Sequence, residues 1–216
     1  MTAASLPAIV FDFGGVLFDW DPRYLYVKLF QGDQEAAERF LNEIDFFRWN
    51  HQQDAGRSFA EAVAELTARF PQYAGLIRAY DERYEESLSG AIEPSLAVLE
   101  ALAQTGYPLY GLTNWPEEKF RIVRRKFPFL RVFQDIVVSG EVGLAKPDPR
   151  IFHLLLQRTG RAAEACVYID DSAVNLETAQ ALGFQCILFQ NAQQLTTDLR
   201  AAGVVVRIAT NGGRAA

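Results

Sequence analysis

Ala8-Ile9-Val10-Phe11-Asp12-Phe13-Gly14-Gly15-Val16 places four apolar residues directly before a carboxylate and, two residues on, a pair of glycines. A short apolar run bounded in this way reads as a strand buried on both faces. The next strand-like run is Tyr107-Pro108-Leu109-Tyr110-Gly111-Leu112-Thr113, far along the chain. The first strand is therefore isolated and must find its partners in the second half.

That half alternates. A helical pattern covers 94–105, and the strand at 107–113 follows it. Pro116 with Glu117 and Glu118 opens a helix to Lys126. Strands are then expected at 135–139, 166–170 and 185–189, with helices at 149–159 and 173–182 between them. Short strands alternating with helices imply crossover units and a parallel sheet. The expected fold is α/β: a Rossmann-like three-layer sandwich with a parallel sheet. Over 20–95 the pattern is helical throughout. Phe40, Leu41, Ile44 and Phe47 recur at helical spacing, as do Phe59, Val63, Leu66 and Phe70, and then Leu76, Ile77, Tyr80 and Tyr84. This predicts an inserted α-helical bundle cap at 19–95 over a core made of 1–18 and 96–216. A helical half of one continuous domain is the alternative. The tail after Val206 is expected to fray.

Composition narrows the function classes. Of 216 residues, half are hydrophobic and 22% are charged, which suits a globular core rather than disorder. A net charge of −6 argues against a nucleic-acid footprint. No apolar stretch approaches the roughly 20 residues of a spanning helix, so no membrane partner is expected. Met1-Thr2-Ala3-Ala4-Ser5-Leu6-Pro7 lacks the basic start and long apolar region of a signal peptide. Cys166 and Cys186 fall in predicted strands and are expected as free thiols, consistent with a cytoplasmic protein.

Three further segments share the placement of Asp12 near strand ends: Gly111-Leu112-Thr113-Asn114, Lys146-Pro147-Asp148-Pro149 and Tyr168-Ile169-Asp170-Asp171-Ser172. In an open α/β sheet the crevice at the carboxyl ends of the strands receives the ligand. One crevice would then collect the carboxylates of Asp12, Asp170 and Asp171, the Thr113 hydroxyl and the Lys146 ammonium. A carboxylate nucleophile attacking phosphorus forms an acyl-phosphate and divides one hard displacement into two. A dianionic substrate needs cations beside that nucleophile. Three clustered carboxylates favour either a proton or a hard cation such as Mg²⁺. Lys146 adds a positive point charge, and Thr113 and the Asn114 N–H are donors for phosphate oxygens. Gly14 and Gly15 allow close backbone approach.

The four segments, in this order, resemble those of the haloacid dehalogenase superfamily, and the resemblance covers essentially the whole chain, helical cap included. It implies that Asp12 is nucleophile and Mg²⁺ ligand and that Gly14 offers its carbonyl to the metal. Asp171 is then the direct metal ligand, with Asp170 assisting directly or through water. Thr113 and Lys146 hold the phosphate, aided by Asn114 and Gly15, and Asn175 orients the Asp170 loop. A small phosphorylated metabolite, with a sugar phosphate as the best guess, is the implied substrate. One departure stands out. Family phosphatases usually carry a second aspartate two residues after the nucleophile, as general acid and base, and here that position is Gly14. A positioned acid–base group contributes ~10²–10⁴-fold. Either the leaving group needs little protonation, or another carboxylate such as Asp19 or Asp21 substitutes, or hydrolysis is lost. The first two together are preferred, because an Asp-x-Gly subgroup of the superfamily includes sugar-phosphate phosphatases. A metal-independent 2-haloacid dehalogenase is one rival, and a catalytically weak regulator that binds a phosphorylated ligand is another.

Other features have plainer readings. Asp19 and Asp21 also suit helix capping before Pro22. Trp20, Arg23, Phe46, Phe47 and Trp49 lie where a cap would meet the core, and packing explains the aromatics. His51 and His153 have no partners at metal-ligand spacing. Lys119, Arg121, Arg124, Arg125 and Lys126 read as a solvated helix face. The chain is expected as a monomer or a homodimer.

Overall fold

The structure is a computed structural model that describes residues 6–208. In chain order its strands and α-helices are β1 (Ala8–Phe11), β2 (Phe18–Trp20), α1 (Arg23–Leu29), α2 (Gln34–Glu43), α3 (Phe46–Asp54), α4 (Phe59–Arg69), α5 (Ala74–Glu82), β3 (Leu88–Ala91) and α6 (Glu93–Thr105). They continue with β4 (Leu109–Thr113), α7 (Glu117–Lys126), β5 (Asp135–Val138), α8 (Ser139–Val142), α9 (Pro149–Thr159), β6 (Cys166–Asp170), α10 (Ala173–Ala181), β7 (Gln185–Leu188) and α11 (Ala192–Ala201).

The isolated first strand finds the predicted partners. The five-stranded sheet runs β5-β4-β1-β6-β7, and all four pairings are parallel. Alternation along each strand explains the layers. Ile9 and Phe11 face one apolar cluster with residues of α6, α7 and α11, while Ala8 and Val10 face another built on α9 and α10. Strand β6 divides the same way, with Val167 and Ile169 on one side and Cys166 and Tyr168 on the other. A helix layer on each face gives the three-layer sandwich.

Register decides what the crevice receives. Phe11 pairs with Gly111 on one side and Ile169 on the other, so the residues that follow all leave the sheet at one edge. The Asp12 N–H donates to the Ile169 carbonyl at 2.8 Å, which holds it beside Asp170. Between β1 and β4 the chain leaves the sheet for helices α1–α5. Their apolar residues, among them Tyr26, Phe40, Phe46, Trp49 and Tyr80, belong to the same cluster as Ile9 and Phe11. Aromatics pack the turn after β1 against the second half of the chain. Phe13 stacks on Phe120 with centroids 5.9 Å apart, and Phe18 meets Trp115 edge-on at 5.6 Å.

Residues 20–95 are not helical throughout, as the periodicity predicted. Strands β2 and β3 form an antiparallel ribbon at the point where the helical stretch departs and returns. The ribbon is too short for a period of two to show. It contains Gly90 at φ +138° and an irregular register between Asp19 and Trp20. Helix α11 extends the expected alternation. Asn191 caps it by accepting from the Gln194 N–H at 2.9 Å, and its buried Leu195 and Leu199 dock on the sheet. Val206, Arg207 and Ile208 are described, whereas the rest of the tail expected to fray, 209–216, lies outside the described residues.

Cys166 and Cys186 are free, and burial pushes both thiols up to about 11, so neither is a reactive thiolate. Among the described residues no helix is long and apolar enough to cross a membrane. The basic run on α7 departs from a solvated face at one position. Lys119 is buried, ion-pairs with Asp81 of α5 and stands 4.2 Å from the Phe59 ring centroid. Its neighbours are paired as well: Arg121 with Glu117, Arg124 with Glu141 and Lys126 with Glu85.

Candidate active site

Lys146 sits at the centre of the crevice and is 2% exposed. Its Nζ lies 2.8 Å from Asp12 Oδ1 and 2.7 Å from Asp170 Oδ2. Its backbone is fixed by a reciprocal amide pair. The Asn114 Nδ2 donates to the Lys146 carbonyl at 2.9 Å, and the Lys146 N–H donates to Asn114 Oδ1 at 2.8 Å. The Asn114 side chain thus positions Lys146, and its backbone N–H is left for a substrate.

Asp170 is fully buried and fully engaged. It accepts from Lys146, the Tyr168 hydroxyl, the Ser172 N–H at 2.8 Å and Asn175 Nδ2 at 3.1 Å. Asn175 therefore does hold the Asp170 loop. Asp171, by contrast, is exposed at the mouth of the crevice. Ligand oxygens of Asp12, Asp170 and Asp171 all fall within 4.8 Å of one another. Thr113 Oγ1 is buried at the same edge without a hydrogen-bond partner among the described residues.

One ammonium faces three carboxylates, and the electrostatics show the deficit. Burial pushes the Asp12 carboxyl up to about 7, against the pull of Lys146, and Asp170 and Asp171 add to the rise. Asp171 is also raised, first by the partial desolvation it meets at the mouth of the crevice and then by Asp170. Burial alone would lower Lys146, but Asp12 and Asp170 outweigh it and hold the ammonium charged. A hard divalent cation among these oxygens would relieve the repulsion, so the donor set fits such a metal.

The two glycines after the nucleophile differ. Gly15 has φ +72°, and a Cβ there would fall 2.2 Å from Asp171 Oδ2. Gly14 has no such constraint, since a Cβ would meet nothing within 4 Å. Gly15→Ala is therefore expected to displace the Asp171 carboxylate and to strain a left-handed backbone by ~1–2 kcal/mol. Calorimetric titration with Mg²⁺ checks this: affinity should fall at least tenfold, and unchanged affinity would show that Asp171 is free to move aside.

A cavity of about 180 Å³ opens beside the carboxylates, lined by Gly14, Trp20, Phe47, Asn50, His51, Asp54, Tyr84, Asn114, Trp115 and Pro116. Of the aromatics expected at the junction, Trp20 and Phe47 reach it. Phe46 and Trp49 are buried in the helical part. Neither Asp19 nor Asp21 lines it. Asp19 accepts from the Tyr24 hydroxyl at 2.8 Å, and Asp21 accepts from the Arg23 N–H at 2.8 Å and pairs with its guanidinium. Arg23 also pairs with Glu38, which leaves it no free charge for a substrate.

The carboxylate that does line the cavity is Asp54, the last residue of α3. Nothing in its local sequence marks it, and its closeness to Gly14 exists only once α3 is docked.

The chain matches the model of the haloacid dehalogenase-like hydrolases over residues 6–183. It is 26% identical over 195 residues to the drimenol cyclase drtB of Aspergillus calidoustus, spanning 89% of this chain but only 35% of the cyclase. It is 27% identical over 204 residues to the sesquiterpene phosphatase astK of Aspergillus oryzae, covering 91% of this chain and 96% of that one. Among solved structures, a HAD-family enzyme of Bacteroides thetaiotaomicron, in complex with magnesium and inorganic phosphate, superposes with a TM-score of 0.65. That superposition is at 24% identity and covers 87% of this chain and 96% of the other. The likeness in structure extends to the fold, and the matched residues contain all four strand-end segments: the chain belongs to the haloacid dehalogenase-like hydrolases.

Proposed function

We propose that this hydrolase is a Mg²⁺-dependent phosphatase that cleaves a small phosphomonoester through an aspartyl-phosphate on Asp12. The observation that carries the reading is the meeting of Asp12, Asp170 and Asp171 within 4.8 Å around a buried Lys146. A metal-independent dehalogenase would have no use for three clustered carboxylates. Asp12, Asp171 and the Gly14 carbonyl would hold the Mg²⁺, with Asp170 behind them anchoring Lys146. When bound, the ion supplies positive charge for the phosphate and for the developing negative charge of the displacement.

The chain's own residues do the rest. An Asp12 oxygen attacks phosphorus as the ester oxygen departs. Lys146 lets nucleophile and phosphate approach each other by neutralising part of their charge. The Thr113 hydroxyl, buried and unpartnered, donates to a phosphate oxygen, as does the Asn114 N–H. Water then opens the acyl-phosphate and frees Asp12. Residues 19–95 act as a cap over the crevice, and the cavity they help to enclose receives the leaving group. Trp20, Phe47 and Trp115 offer apolar faces to it, and Asn50 and His51 offer polar groups, a mixture that suits a sugar ring.

Phosphate release from a panel of sugar phosphates and other small phosphomonoesters is expected to require Mg²⁺ and to fall to background in EDTA. Turnover that persists in EDTA would sink the metal-dependent reading, and halide release from 2-chloropropionate would replace it.

A further inference from the structure

The leaving-group side of the site lacks a proton donor at position 14, and among the described residues one carboxyl group, that of Asp54, lines the cavity above Gly14. We propose that Asp54, carried by the cap helix α3, protonates the departing ester oxygen and then deprotonates the hydrolytic water. The inference rests on the phosphatase reading and adds to it the missing acid–base residue.

Geometry places the group. Asp54 ends α3, and the chain beyond it lies against the core. A Cβ on Gly56 would stand 3.4 Å from Gly143 Cα and 3.5 Å from the Gly140 carbonyl. The Phe59 N–H donates to Glu118 of α7 at 3.2 Å. The same cavity is lined by Asp54 and by Gly14, where a side chain would meet open space. Asp54 has no cationic partner among the described residues. Its one side-chain hydrogen bond among the described residues comes from the Asn50 amide at 3.4 Å, and Asn50 in turn accepts from the buried Tyr80 hydroxyl at 3.1 Å. Asp21 and Asp148, at the starts of their helices, accept from backbone N–H groups and pair with arginines, whereas Asp54 at the C-terminal end of α3 does neither. Asp54 is instead oriented by an amide and left unneutralised.

Its surroundings also suit the chemistry. Burial chiefly pushes the Asp54 carboxyl up to about 7, with Lys146 opposing and Asp12 adding, so acid and base forms coexist near neutrality. In the first step the Asp12 oxygen–phosphorus bond forms and the ester oxygen–phosphorus bond breaks. The Asp54 proton passes to the ester oxygen, giving the alcohol and the Asp54 carboxylate. In the second step that carboxylate takes a proton from water as the water oxygen bonds to phosphorus. The Asp12 oxygen–phosphorus bond then breaks, which releases inorganic phosphate and restores the Asp54 acid and the Asp12 carboxylate.

The test compares wild type with Asp54→Asn on two esters, p-nitrophenyl phosphate and an alkyl phosphate such as glycerol phosphate. Asparagine keeps the shape of the side chain and its contact with Asn50. Since kcat/KM reports every step through departure of the leaving group, the variant should lose ~10²–10³-fold on the alkyl ester. On the nitrophenyl ester, whose leaving group needs no proton, the loss should stay under about fivefold. The same variant should release a burst of nitrophenol equal to the enzyme present, because the second step has lost its base. A uniform loss on both esters without a burst would reduce Asp54 to a structural residue and overturn the proposal. So would a leaving-group-dependent loss in His51→Ala instead. If wild type hydrolyses neither ester nor any compound of the panel, the phosphatase reading itself falls, and the proposal with it.

Discussion

Asp12→Asn is expected to lower kcat on the order of 10⁵-fold while the protein stays folded. An amide cannot form the acyl-phosphate, and no second group is placed to replace it. Asp170 is wrapped by four donors and Asp171 is held at the mouth of the crevice. The fold should survive because the wild-type carboxyl is itself a burden without metal. Burial raises it to about 7, and at neutral pH its charge adds to those of Asp170 and Asp171. The variant removes that charge, and Lys146 keeps Asp170 at 2.7 Å. In EDTA the thermal midpoint of Asp12→Asn should therefore be no lower than that of wild type. With Mg²⁺ the order should reverse, since the variant has lost a ligand and gains less from the ion. Residual turnover within tenfold of wild type would exclude Asp12 as the nucleophile.

The parts of this site that were legible in the sequence are those fixed by the sheet. Asp12, Thr113 and Asp170 each end or follow an apolar run, and parallel register brings such ends together wherever the connections happen to lie. Lys146 comes a few residues after an apolar run rather than at its end, and its ammonium sits between Asp12 and Asp170. The helical character of 20–95 was legible because three amphipathic stretches share one period. What was not legible depends on docking. The β2–β3 ribbon pairs Phe18 with Ala91, a partnership that no local pattern announces. Lys119 looked like one more charge on a solvated face because Asp81, its partner, lies 38 residues away. Asp54 carries no local mark of a site residue, whereas Asp19 and Asp21, nearer to Gly14 in sequence, are held by Tyr24 and Arg23 and do not line the cavity. Sequence distance does not show which carboxylate lines the cavity, because α3 reaches it only through tertiary packing.

Lys146→Ala should give the largest loss of stability of any single change at the site, about 3–5 kcal/mol in EDTA, besides abolishing turnover. The ammonium is 2% exposed and neutralises Asp12 and Asp170 together, so its removal leaves two buried carboxylates without a counter-charge. Three terms compete. Asp170 keeps Tyr168, Ser172 and Asn175 as donors, which softens its loss. Asp12 can take up a proton near neutrality, which softens it again. Neither replaces a cation for Asp170, which is fully buried, and desolvation of that charge decides the sign. At 2–4 °C per kcal/mol for a chain of this size, the thermal midpoint should fall by roughly 10 °C. Adding Asp170→Asn to Lys146→Ala removes the uncompensated charge together with its former partner. The double variant should therefore be more stable than Lys146→Ala alone, a coupling that distant sites would not show. If the double variant were instead less stable by the sum of the two single losses, Lys146 would be contributing through packing rather than charge. Its ion pairs with Asp12 and Asp170 would then be incidental to the fold and needed only for the phosphate.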